Sequence, residues 1–204
     1  MWQVAVFAML SYLSTSRAHT VYQEDSSCDF RGLRLREELF RVLVKLPEVP
    51  AFGQEELSPY FPGLEIAGFT VKGLDELTLY GPLVHYCING TRMLQADFFN
   101  EGNIVFTLPW KACSGHEGHF KVRATLFRFT AQFDVLESPD GSVKLLLASR
   151  IVPVTTQCVR AYVEGAGPDV RDASESTLIP GLLEEVWYWQ FSLEFDRRFH
   201  QASP

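Results

Sequence analysis

The strongest constraint on how this chain can fold is a pair of neighbouring segments in which apolar and polar residues alternate, each losing phase once near its middle. In the first, Phe120, Val122, Ala124 and Leu126 keep one parity, and Phe127, Phe129, Ala131, Phe133 and Val135 keep the other. In the second, Val143, Leu145 and Leu147 give way to Val152, Val154 and Cys158 on the opposite parity. Side chains of a strand alternate between its faces, so a one-residue slip marks a bulge that restores the apolar set to the buried side. Strands of about 18 residues are far longer than usual and must coil. Asp140-Gly141 supplies the turn between them. The expected fold is α+β: a long, strongly coiled antiparallel sheet wrapped around a helix.

Two helices are legible. Within residues 33–46, Leu35, Leu39, Val42, Leu43 and Leu46 recur at spacings of three and four, opposite Arg34, Glu37, Glu38, Arg41 and Lys45. That is an amphipathic N-terminal helix with a solvated outer face, stopped by Pro47 and Pro50. A long C-terminal helix starts near Pro180, where Trp187, Phe191, Phe195 and Phe199 make an i+4 ridge. Leu182, Leu183, Val186, Trp189 and Leu193 spread apolar surface over most of its remaining circumference. Such a helix is either wrapped as core or lines a ligand cavity, and both readings stand at this level. Between the helices, Leu64 and Ile66 alternate on one face, and Phe69 and Val71 on the other, with Gly68 between them. Leu77, Leu79 and Leu83, and then Ile104, Phe106, Leu108 and Trp110, continue the strand pattern. Residues 163–176 read as a polar, glycine-rich loop.

Trp2 to Leu13 is an uncharged apolar run followed by small residues at Ser16 and Ala18, the pattern of a cleaved signal peptide over residues 1–18. It is too short to span a bilayer, which takes about 20 residues. Residues 19–204 are then expected to be one secreted domain without integral membrane insertion. Export makes the even set Cys28, Cys87, Cys113 and Cys158 candidate disulfide partners; of the three pairings, Cys87–Cys113 with Cys28–Cys158 is the preferred one. Asn89-Gly90-Thr91 combines a glycosylation sequon with a turn dipeptide, which suggests an exposed hairpin tip, with or without sugar.

The charge balance of −7 argues against nucleic acid or an anionic membrane as the main partner. His116-Glu117-Gly118-His119 lacks the i,i+4 spacing of a zinc-protease helix and reads as a turn with exposed histidines. The cysteine spacings do not suit zinc either, so no metal and no cofactor is expected. No nucleophile elbow, phosphate loop or dinucleotide fingerprint is present, and no catalytic residue is assigned.

Three short stretches resemble the tubular lipid-binding (BPI-like) superfamily, in its arthropod branch of takeout, juvenile hormone-binding and group 7 mite allergen-like proteins. Phe69-Thr-Val-Lys-Gly73-Leu74-Asp-Glu-Leu77 is similar to the first strand of that family. Gly115-His-Glu-Gly118-His-Phe120 resembles the G-x-G-x-F lead-in to its longest strand, and Ser138-Pro-Asp-Gly141-Ser-Val143 the hairpin that follows. The cysteines depart from the family, whose disulfide usually lies close to the N-terminus. The resemblance implies half of a tubular barrel and a carrier of a fatty acid, terpenoid or similar lipid in an apolar tunnel. The lining candidates are Phe127, Phe129, Phe133, Leu145, Trp187, Phe191 and Phe195. The alternative is an interaction protein of the same fold, acting through its surface on a host or microbial partner.

Overall fold

The computed structural model describes residues 28–46, 50–52, 56–139, 141–167 and 180–203; the expected signal segment lies outside the described residues. Helix α1 (Leu35–Leu43) precedes thirteen described strands: β1 (Pro50–Phe52), β2 (Ser58–Phe61), β3 (Leu64–Ile66), β4 (Phe69–Lys72), β5 (Thr78–Leu79), β6 (Val84–Ile88), β7 (Thr91–Asn100), β8 (Val105–Ala112), β9 (Glu117–Arg123), β10 (Leu126–Glu137), β11 (Val143–Leu147), β12 (Val152–Gln157) and β13 (Arg160–Glu164). Helix α2 (Pro180–Ala202) follows. The first sheet runs β1-β4-β8-β3-β2, with β9 on β8 and β13 on β9. The second runs β11-β10-β7-β5, with β12 on β10 and β6 on β7.

The first phase slip is a passage from one sheet to the other. In β9 and β13, Arg160 pairs with Arg123 and Glu164 with His119; in β10 and β12, Leu126 pairs with Gln157 and Arg128 with Thr155. The register is the same on both sides of the break, and the Thr125 amide donates to the Gln157 carbonyl across it at 3.0 Å. Residues 117–164 are therefore one antiparallel ribbon that leaves the first sheet and enters the second at Ala124-Thr125, opposite Cys158-Val159. Cys158 sits there with φ 47°, which lets the backbone turn sharply. The slip expected as a bulge within one sheet is in fact the passage between two. The slip of the second segment, between Leu147 and Val152, falls elsewhere: β11 and β12 lie on the same edge of β10 in different registers, and Val152, Val154 and Cys158 are exposed rather than returned to the buried side.

A similar compensation corrects another expectation. β3 and β4 occupy one edge of β8, with Ile66 opposite Trp110 and Val71 opposite Phe106. Trp110 and Phe106 share a face of β8, so their partners do too. One residue is bulged out around Gly68, which brings Leu64, Ile66 and Val71 to the same side rather than to opposite ones. Val163 and Glu164, expected in a loop, end strand β13; residues 168–176 of that expected loop lie outside the described residues.

The core lies between the sheets and the helices. All five apolar positions expected to face inward are buried, but the helix is shorter than expected: Leu35, Leu39, Val42 and Leu43 lie on α1, and Leu46 lies just past its end. Helix α2 buries Trp187, Phe191, Phe195 and Phe199. It is fastened by the Tyr188 hydroxyl, which donates to the Ile151 carbonyl at 2.8 Å, and just beyond its end by the Ser203 hydroxyl, which donates to that of Leu145 at 2.7 Å. Asn89 and Gly90 have φ of 50° and 80° and join β6 to β7 as a two-residue turn, exposed as the sequon suggested.

Cys28 is bonded to Cys87, with Cα atoms 6.1 Å apart, while Cys113 and Cys158 are free and exposed. This overturns the preferred pairing. Cys87 is on β6 in the second sheet, whereas Cys113 lies in the β8–β9 turn of the first. Sequence spacing carries no record of that separation.

Candidate functional site

The seven expected lining residues are brought together, but as close-packed core. Phe127 and Phe191 pack edge to face at 4.7 Å between ring centroids, Phe129 meets Phe191 at 4.9 Å and Phe195 at 5.2 Å, and Trp187 reaches Phe127 at 6.2 Å. Phe133 packs on Phe199 at 4.8 Å, and Leu145 is fully buried. Offset and edge-to-face pairs of this kind contribute to stability beyond simple area burial. The aromatic ridge of α2 thus packs the helix against both sheets.

The open apolar surface lies further along the first sheet. On β8, Phe106, Leu108, Trp110 and Ala112 point to the same side. Phe106 is covered by Trp187, at 5.1 Å between centroids, and buried. Leu108, Trp110 and Ala112 lie beyond that contact and are only half-buried. Together with Leu64 and Ile66 of β3, Phe69 of β4, Phe120 of β9 and Val163 of β13 they line a groove of about 600 Å³. Its polar margin is formed by Tyr60, Ser114 and His116, the last two in the β8–β9 turn at the end away from α2. The indole N–H of Trp110 is buried without a hydrogen-bond partner among the described residues, leaving a donor in the groove wall.

Sequence reasoning identified Leu64, Ile66, Phe69, Leu108, Trp110 and Phe120 as alternating strand residues, with Phe69 on the face opposite Leu64 and Ile66, and did not separate those the helix covers from those it leaves open. That distinction depends on where α2 ends over the sheet. The nearest signal was position: Trp110 and Phe120 flank the glycine-containing turn, far along the hairpin from Phe106. The two histidines of the His-Glu-Gly-His motif are parted by the sheet, His116 bordering this groove and His119 the groove on the other face. They share no ligand position.

One buried carboxyl stands out. Glu194 of α2 is fully buried, its Oε2 accepts from Arg198 Nε at 3.4 Å, and its Oε1 has no hydrogen-bond partner. Burial raises its pKa above the ordinary carboxylate range, against the opposing pull of Arg197 and Arg198. Its ion-pair partners are Arg197 and Arg198 of the same helix, each at 3.4 Å.

The class defined here is an α+β curled-sheet half-barrel: coiled antiparallel strands packed on a long C-terminal helix, with a short N-terminal helix and an open apolar groove. Among solved structures, Takeout 1 from Epiphyas postvittana matches with a TM-score of 0.40 and 11% identity, over 81% of this chain and 83% of that one. A lipopolysaccharide binding protein matches with a TM-score of 0.41 and 11% identity, over 79% of this chain. The match spans only 36% of that longer chain. No protein-family model matches, and no curated protein does. Among the described residues, no helix is long and apolar enough to cross a membrane.

Proposed function

We propose that this chain is a secreted, non-catalytic binder or carrier of a small elongated hydrophobic ligand, such as a fatty acid, terpenoid or other single-chain lipid, held in the groove on the inner face of the first sheet. The observation that carries this reading is the groove itself: about 600 Å³, walled by apolar side chains from five strands, with polar groups at one end. Ligand pockets characteristically combine an apolar lining with a few polar groups that fix orientation. Each buried methylene of a ligand contributes about 0.8 kcal/mol, so an acyl or isoprenoid chain is retained without any reactive group. This groove is built from other residues than the lining candidates, which pack ring against ring between α2 and the second sheet.

The test is native mass spectrometry of the protein produced by a eukaryotic secretory host, with lipid extraction, followed by titration with fatty acids and terpenoids. A non-covalent adduct lost on denaturation is the expected result, and Ile66→Lys, which places a charge in the groove, is expected to weaken binding at least tenfold. An unaltered apo mass after incubation with both ligand classes rejects the carrier reading. A second reading, a surface-acting interaction protein, is favoured by the exposed Val186, Trp189 and Leu193 on α2, at 47%, 62% and 51% exposure. It predicts that unaltered apo mass together with a partner lost in Trp189→Glu.

A further inference from the structure

We propose that the opposite, outer face of the first sheet holds a phosphate-monoester site built on Arg123 and Arg160. The pairing of β9 with β13 sets these two residues directly across from each other. Directly opposed residues project to the same face with Cβ atoms about 5 Å apart, and like charges so placed destabilise the sheet. In a chain of net charge −7, such a pair would ordinarily be offset by a carboxylate. Here Arg123 lies over the Tyr162 ring at 5.6 Å, and among the described residues neither guanidinium has an acidic partner.

The register extends the row. Lys72 pairs with Val105, and because Phe106 pairs with Val122, Val105 comes next in line with Arg123. Lys72, Arg123 and Arg160 therefore lie on one line across four strands, with Lys72 two strand spacings, about 10 Å, from Arg123. Lys72 and Arg123 line a groove of about 970 Å³ that also contains Thr70, Thr107 and Tyr162. The carboxylate that lines that groove among the described residues, Glu164, is engaged by Lys121 at 2.7 Å. It stands four residues along β13 from Arg160, about 13 Å away.

The donor set selects the anion. A carboxylate is satisfied by one guanidinium fork, whereas two adjacent forks match the three terminal oxygens and the second negative charge of a phosphate monoester. Occupancy also removes the like-charge repulsion, so binding and stability are linked. This site is independent of the apolar groove on the inner face.

The experiment uses the whole chain in thermal melts and calorimetric titrations. The probes are inorganic phosphate, sodium chloride at matched ionic strength, and phosphatidylcholine vesicles with and without phosphatidate. Phosphate or phosphatidate vesicles are expected to raise Tm saturably where chloride and plain vesicles do not. A response to inorganic phosphate marks a free-anion site; a response to phosphatidate alone marks a lipid headgroup; both support the proposal. Arg160→Gln is expected to raise the Tm of the anion-free protein and to weaken phosphate or phosphatidate binding at least tenfold. The exposed control Lys111→Gln is expected to stay within twofold of wild type. Absence of a phosphate-specific response in both arms overturns the proposal, as does equal loss in Arg160→Gln and Lys111→Gln.

Discussion

Glu194 shows how one residue can set a pH dependence without taking part in chemistry. Its folded pKa is raised by burial, so between its unfolded and folded values the native state binds more protons than the unfolded state. The stability associated with protonated Glu194 is full below the unfolded pKa and is lost as pH rises through the folded one. Glu194→Gln keeps the shape and removes the titration. The expected outcome is a Tm difference that moves in favour of the variant as the pH of the melts is raised from about 4 to 8, since a tenfold difference in proton affinity between the folded and unfolded chain is worth about 1.4 kcal/mol. A wild type and variant that track in parallel across that range would contradict the assignment.

At the scale of elements, α2 and the ribbon carry different duties. The ridge of α2 is core, so Phe191→Ala should cost about 3–5 kcal/mol in denaturant unfolding while leaving the lipid affinity of the folded protein within a few fold. Had Phe191 lined the ligand site, affinity would fall more than stability. The sequence was most informative where burial follows a local period. In α1, a spacing of three and four is enough to specify the buried Leu35, Leu39, Val42 and Leu43, because a helix presents one stripe to the core. The phase slip of the ribbon was readable as a break, since parity is local. Its meaning was not, because whether a strand turns within a sheet or passes into another depends on the partners of β9 and β10. The groove was hidden for the same reason: Phe106 and Trp110 have the same parity and similar character, and only the footprint of α2 separates covered from open.

At the scale of the whole molecule, the Cys28–Cys87 bond ties the segment preceding α1 to strand β6 of the second sheet across a sequence separation of 59 residues. In the chain-entropy account a closure of that length restricts the unfolded ensemble by about 4 kcal/mol. The double variant Cys28→Ser, Cys87→Ser should lose stability of that order in urea melts. The spacing of the four cysteines could not indicate this pairing, since closeness arises only once both sheets exist. The exposed thiols of Cys113 and Cys158 predict, conversely, that their replacement by Ser leaves the melt within about 0.5 kcal/mol of wild type, as surface substitutions usually do.

The folded ribbon of residues 117–164 has a further consequence for how the molecule is assembled. Its two arms are joined by a short reversal between β10 and β11, so pairing spreads outward from neighbours in sequence and the loop-closure entropy is met in small steps. As it zips, it delivers a strand pair to each sheet in turn, already in register. The two layers therefore share one continuous seam, and neither can be peeled away without unzipping the pairing that the other depends on.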